Sequence, residues 1–357
     1  MTSRLIEIDA LRTLSCLIII IAHTAQEFVK LPMMHNDIAI VDRFFWQIDF
    51  GRSAVALFFA ISGYVIIGSL KGPIIAGSFQ FWVRRLFRLY PAFWVSIPVG
   101  LLVIYLFNNH TVSTEMIEAN LSMLPKFFGQ DNIIGVYWTL ETELIFYFLC
   151  WLLFLMNFHT KPLVISIVIT LLVLLTIFLV FNRHYAPDYH YWLAMPYHLS
   201  LMFWAALYRI YENEKKRTGY TNRKQKIAKT YFLIQTAVVL LPITLAFSLY
   251  LVNDDPLALR NSASYFFGLT FFILFVRWIP LKFSLLANLG KYTFSIYLFH
   301  LPVILLLVYC VGHYFPVLAG YSIILYLLII IVVTMLLSLI CYHCIEKPCI
   351  AFSQRIS

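Results

Sequence analysis

"DALRTLSCLIIIIAHTAQEF", residues 9–28, is apolar enough for a membrane helix, yet it keeps Asp9, Arg12 and His23. Arg12 and His23 are eleven residues apart, which on an α-helix is roughly 20° in angle and about 16 Å along the axis. Asp9, Arg12, Cys16, Ile19 and His23 therefore form one stripe, from the helix start to near the middle of a bilayer. Ionisable groups at that depth are costly and face a cavity or one another. Taken singly, Arg12 reads as an anchor that snorkels to the interface, and His23 as a histidine bonded to a neighbouring helix.

The rest of the chain decides the class. It has 357 residues, 62% of them hydrophobic and 12% charged, with a mean hydropathy of +0.84. That composition predicts an all-α polytopic membrane protein and excludes an ordinary soluble domain. Stretches of about 20 apolar residues give ten expected spans, at 12–29, 50–69, 86–107, 137–157, 163–182, 190–211, 230–252, 262–279, 290–312 and 319–343. Residues 1–350 read as a single integral membrane domain and 351–357 as a short cytoplasmic tail. The first span has no small-residue cleavage site and reads as a permanent helix.

Basic residues orient the chain, because Lys and Arg collect on the cytoplasmic side. With the N-terminus inside, only Lys30, Arg43, Arg52, Lys126, Arg183 and Arg260 of the 26 basic residues fall elsewhere. Both termini are expected in the cytoplasm. The net charge of +9 is then a topology signal, and no nucleic-acid partner is expected. Cys16, Cys150, Cys310, Cys341, Cys344 and Cys349 are scattered, and "CYHC" at 341–344 lacks a second pair, so no metal site is expected. There is no solenoid repeat.

Other spans bring polar groups to a similar depth. "FFAISGYVI" places Ser62 and Gly63 about 15 Å deep, and glycine there allows close approach of a helix or ligand. "VYWTLETELIFY" puts Glu143 about 10 Å inside the outer boundary, with Thr139 and Tyr147 on its face. Glu141 points away, so the two carboxylates are not a close pair. "GKYTFSIYLFH" carries His300 about 13 Å from the cytoplasmic surface. His23, Ser62, Glu143 and His300 thus suggest one polar chamber. A buried histidine with a carboxylate suits general-base chemistry, and equally a proton relay in a transporter. At the cytoplasmic edge, "FWVRRLFRLYP" sets Arg85 and Arg88 on one helical face beside Arg84. With Arg12 they make a phosphate site, or ordinary positive-inside anchoring.

The ordered motifs resemble the acyltransferase 3 family of integral membrane acyltransferases, which O-acetylate bacterial surface polysaccharides. "IDALRTLSCLIIIIAH" is similar to its Arg and His separated by ten residues, "ALFFAISGYVI" to its Phe-Phe-x-x-Ser-Gly, and "FWVRRLFRLYP" to its Arg-x-x-Arg-x-Tyr-Pro. "YWTLETELIFY", "YTFSIYLFH" and "IEKP" resemble its Trp-Ser/Thr-Leu-x-x-Glu-x-x-x-Tyr, Tyr-Ser-x-Tyr-Leu-x-His and Glu-Lys-Pro segments. The resemblance covers nearly the whole chain. It implies His23 as the catalytic histidine, with Glu143 supporting it or the acceptor. It also implies acyl-CoA binding by Arg12, Arg85 and Arg88, with Asp9 beside them, and a chamber lined by Ser62, Gly63, Trp138, Tyr147 and His300. "FWAALYR" departs from the family where relatives often carry glycine. The chain ends soon after "IEKP", so the hydrolase-like domain of some members is not expected.

The expected function is transfer of an acetyl group from cytoplasmic acetyl-CoA to a sugar hydroxyl of lipopolysaccharide O-antigen or another surface glycan, in the bacterial inner membrane. Acetyl-CoA is a co-substrate and no permanently bound cofactor is expected; membrane lipids and a lipid-linked or polymeric glycan are the other partners. A proton-coupled transporter using His23, Glu143 and His300 as a relay is the rival. A membrane-bound O-acyltransferase type with His300 as its histidine leaves the Arg12–His23 stripe unexplained. The outer loops 108–136 and 183–190 are the expected source of acceptor selectivity.

Overall fold

The computed structural model describes residues 6–31, 36–108, 112–182, 190–218, 222–279 and 281–357. Every regular element among them is helical: α1 (Ile6–Phe28), α2 (Asn36–Ile48), α3 (Phe50–Ile66), α4 (Ile74–Asn108), α5 (Thr114–Leu121), α6 (Trp138–Leu155), α7 (Pro162–Phe181), α8 (His190–Thr218), α9 (Arg223–Asn253), α10 (Pro256–Ile273), α11 (Ser284–Leu289), α12 (Thr293–His313), α13 (Ile323–Cys341) and α14 (Lys347–Ile356). The multi-pass all-α class follows.

All ten expected spans are helices. Eight described helices are long and apolar enough to cross a membrane by themselves. The second expected span, α3, qualifies when joined to α2 across a 48° bend. Asp49 sits at that break with φ 46°, a left-handed conformation that ends α2 and restarts the chain as α3. The sixth, α8, falls short because it carries Tyr, His and Trp, some of which bond to neighbouring helices. Tyr197 Oη donates to the Val239 carbonyl at 3.0 Å, and Trp204 Nε1 donates to Thr236 Oγ1 at 2.9 Å. Leu201 through Leu207 are all within 1% of complete burial, so this helix meets protein where others meet lipid.

Two compact units divide the chain. The first comprises Met1–Gly51, Phe79–Glu141 and Pro280–Ser357; the second comprises Arg52–Ser78 and Thr142–Ile279. In the first, α1 packs on α2, α11, α12 and α13. Cys16, Ile20, Ala25 and Phe28 enter a shared core with Ile304, Val311, Tyr326 and Ile330. Phe28 stacks on Tyr326 with ring centroids 4.2 Å apart. In the second, α7, α8, α9 and α10 pack in succession.

Several details depart from the sequence reading. Helix α4 begins at Ile74, so it is about 52 Å long against a hydrocarbon core of about 30 Å. Arg84, Arg85 and Arg88 therefore sit within a continuous helix instead of at its start. The outer segment 108–136 contains α5, capped by Ser113 accepting from the Met116 amide, and a short 3₁₀ turn at Pro125–Phe128. The tail belongs to α14, where Arg84 Nε donates to Ser357 Oγ at 3.1 Å. Residues 109–111 and 183–189 of the two acceptor loops lie outside the described residues.

Candidate functional site

Helices α1 and α12 run in the same direction, side by side. Gly290, before α12, lies so close to α1 that an added Cβ would stand 2.7 Å from Asp9 Cβ. Thr13 Oγ1 donates to the Leu286 carbonyl at 2.8 Å, and Cys16 Sγ reaches the Thr293 carbonyl at 3.7 Å. Seven residues further along each helix come His23 and His300, with ring centroids 5.6 Å apart at 31°. Equal steps on two parallel helices keep the histidines level, about 10.5 Å above the Cys16–Thr293 contact.

The two rings have different settings. His300 is 1% exposed, and its Nδ1 is 2.7 Å from the Tyr297 carbonyl. Because a carbonyl only accepts, Nδ1 carries the proton and Nε2 is left as an acceptor. No partner for that Nε2 is found among the described residues. Tyr297 is fixed in turn, donating to the Val136 carbonyl at 2.7 Å and sharing a 2.6 Å contact with Thr139 Oγ1. His23 is half-buried, with Nδ1 3.1 Å from Gln26 Oε1 one turn away. If the amide oxygen accepts, Nδ1 is the protonated nitrogen and Nε2 holds the lone pair a general base needs. The carboxylates whose fields reach His23 include Glu27 and Asp49.

The arginines occupy the first unit too. Arg12 Nη1 is 3.5 Å from Asp9 Oδ1, one turn back on α1, with both side chains about 15% exposed. Arg85 lies over the Phe81 ring at 5.8 Å. Arg88 is within electrostatic reach of Glu346, the buried carboxylate of "IEKP", which accepts a hydrogen bond from Ser295 on α12. A π-helical turn at Tyr342–Glu346 aims that glutamate inward.

In the second unit, Glu143 is buried and its Oε1 accepts from Ser62 Oγ at 3.0 Å and from the Tyr147 hydroxyl. Gly63 has a packing role: a Cβ there would stand 1.9 Å from the Met202 carbonyl oxygen of α8. Trp138 opens α6 half-buried and belongs to the first unit. The structure thus joins His23 to His300, and Ser62 to Glu143 and Tyr147. Gln26, Asp49 and the carbonyl of Tyr297 were not singled out by the sequence. Gln26 is uncharged and Asp49 lies at a span end, so neither carries the signal of an ion buried at mid-depth. The spacing of Gln26, three residues after His23, could have marked it.

The described helices thus set two histidines side by side, with an arginine on the same stripe and further arginines on α4. The family model described as "Acyltransferase domain" matches residues 5–343, and the chain belongs to that acyltransferase 3 family. It is similar to the Bacillus subtilis (strain 168) protein named "Putative peptidoglycan O-acetyltransferase YrhL", with 27% identity over 338 residues. That similarity covers 84% of this chain and 50% of the relative, so the chain spans about half the relative's length. No solved structure matches it.

Proposed function

We propose that the protein is a membrane O-acetyltransferase, taking acetyl groups from cytoplasmic acetyl-CoA and placing them on a sugar hydroxyl of a surface glycan. Lipopolysaccharide O-antigen is one acceptor of that kind and peptidoglycan, which the relative's name specifies, is another. Both termini lie in the cytoplasm, and the bilayer is the bacterial inner membrane. The observation that carries this reading is the stripe of α1, with a fixed His23 ring two helical turns beyond the Cys16–Thr293 contact and Arg12 nearer the helix start.

The residues divide the work. Arg12, Arg85 and Arg88, with Asp9 steering Arg12, take the phosphates of acetyl-CoA. His23 Nε2 removes the proton of the acceptor hydroxyl as its oxygen attacks the thioester carbonyl; the C–S bond breaks, and the imidazolium returns the proton to the CoA thiolate. Alternatively His23 takes the acetyl group itself and passes it on. Glu143 serves the transfer from the second unit, where Ser62 with Tyr147 holds its carboxylate in one setting. Trp138 and His300 line the reaction space. Family membership favours acyl transfer over the proton-coupled transporter.

The test is isotope-labelled acetyl-CoA supplied to the cytoplasmic side of vesicles holding the protein and a panel of surface glycans. Label appearing on glycan, lost together with acetyl-CoA binding in Arg85→Ala, is the expected outcome. A protein that binds no acetyl-CoA would overturn the reading.

A further inference from the structure

The second unit encloses a cavity of about 520 Å³ that the chemistry above does not use. Its walls come from matching helix ends: the starts of α3, α8 and α10 and the ends of α7 and α9. The basic residues Arg209 and Lys215 on α8 and Arg223, Lys224 and Lys226 on α9 lie at the other end of those helices, so the cavity is on the non-cytoplasmic side in the proposed orientation. That is the side from which a glycan acceptor arrives.

The walls have two characters. Phe181 and Leu257 line the cavity yet are 65% and 55% exposed, and Leu249 joins them. A wall whose residues also face lipid opens sideways into the bilayer. Arg52, Asp255 and Asn261 line it too, with the ring of Tyr265, and the Asp255 carboxylate accepts from the Leu257 amide at 2.9 Å. Tyr265 is itself held by His198, its hydroxyl 2.8 Å from Nε2.

Mixed charge and a side-chain amide suit a ligand that both donates and accepts hydrogen bonds, as a sugar hydroxyl does, while the acid disfavours a bare phosphate. The tyrosine ring offers an apolar platform for a sugar face. We propose that this cavity docks a lipid-linked saccharide, its sugar against Asn261, Arg52 and Asp255 and its apolar chain leaving past Phe181 and Leu249 into the bilayer. The inference rests on the acyl-transfer reading and adds the form in which the acceptor is presented.

Native mass spectrometry of the full chain in detergent tests it without any CoA present. The probes are short-chain prenyl diphosphates carrying a hexose or an N-acetylhexosamine, the same prenyl diphosphate without sugar, and phosphatidylglycerol. At least one sugar-bearing probe is expected to be retained about tenfold better than phosphatidylglycerol. Ala246→Trp, which fills the cavity from α9, is expected to abolish that retention. Asn261→Ala is expected to erase the preference for sugar-bearing over sugar-free probe, with unchanged helix content by circular dichroism in both variants. Equal retention of phosphatidylglycerol, or retention surviving Ala246→Trp, would overturn the proposal. Failure of the unaltered chain to bind acetyl-CoA counts against the enzymatic reading instead, so the two failures are separable.

Discussion

Ser62 donates its hydroxyl to Glu143 at 3.0 Å, while the next residue, Gly63, meets the backbone of α8 at Met202. Two adjacent residues of one motif thus serve different ends. The serine sets a buried carboxylate, and the glycine lets two helices touch.

Gly63→Ala is predicted to be a stability variant. A methyl group at 1.9 Å from a carbonyl oxygen cannot be accommodated by a side-chain rotation, so α3 and α8 must separate, at a cost of about 1–3 kcal/mol or more. Thermal unfolding in detergent is expected to show a clearly lowered midpoint. An unchanged midpoint would refute the close helix contact.

Glu143 separates charge from shape. In Glu143→Ala the buried hydroxyls of Ser62 and Tyr147 lose their acceptor, costing about 1–3 kcal/mol each. Glu143→Gln keeps an acceptor oxygen and is expected to unfold near the wild-type midpoint, yet to lose about tenfold or more of transfer rate. A fully active glutamine variant would remove the carboxylate charge from the mechanism.

Gln26 is predicted to be a positioning residue for the His23 ring. Gln26→Leu removes the partner of Nδ1 and is expected to lower kcat about tenfold or more while leaving KM for acetyl-CoA unchanged. Gln26→Glu, which retains an acceptor oxygen, is expected to restore most of the rate. A raised KM with unaltered kcat would assign Gln26 to donor binding.

His159, in the turn between α6 and α7, gives a pH dependence outside the spans. Burial lowers its pKa below the ordinary histidine value, and its ring lies edge-on to Phe154 at 5.0 Å. The unfolded chain then binds the proton more readily, so stability is full above the unfolded pKa of about 6.5 and declines as pH falls below it. His159→Gln is expected to flatten that decline in unfolding midpoints between about pH 7 and 5. An identical decline in the variant would place the acid sensitivity elsewhere.

Much of this architecture was legible in the sequence because lipid enforces long apolar runs and makes each buried ion conspicuous. Arg12, His23, Glu143 and His300 stood out for that reason, and helical periodicity aligned the first two. The partners that fix them were less visible. Gln26 is neutral, the Tyr297 acceptor is a backbone carbonyl, and the left-handed turn at Asp49 leaves no periodic signal. The match of seven residues from Cys16 to His23 and from Thr293 to His300 becomes meaningful only once α1 and α12 are known to be parallel neighbours. The burial of α8 was hidden because its apolar run looks like any weak span, and the π turn before "IEKP" has no residue signature.

The central claim is that His23 carries acyl transfer, and release of free CoA from acetyl-CoA in the presence of a surface-glycan acceptor tests it most directly. His23→Gln should fold, bind acetyl-CoA as tightly as the unaltered protein, and release CoA at least about 10²-fold more slowly. Acceptor-dependent release at the unaltered rate in His23→Gln would contradict the account and move the chemistry away from α1.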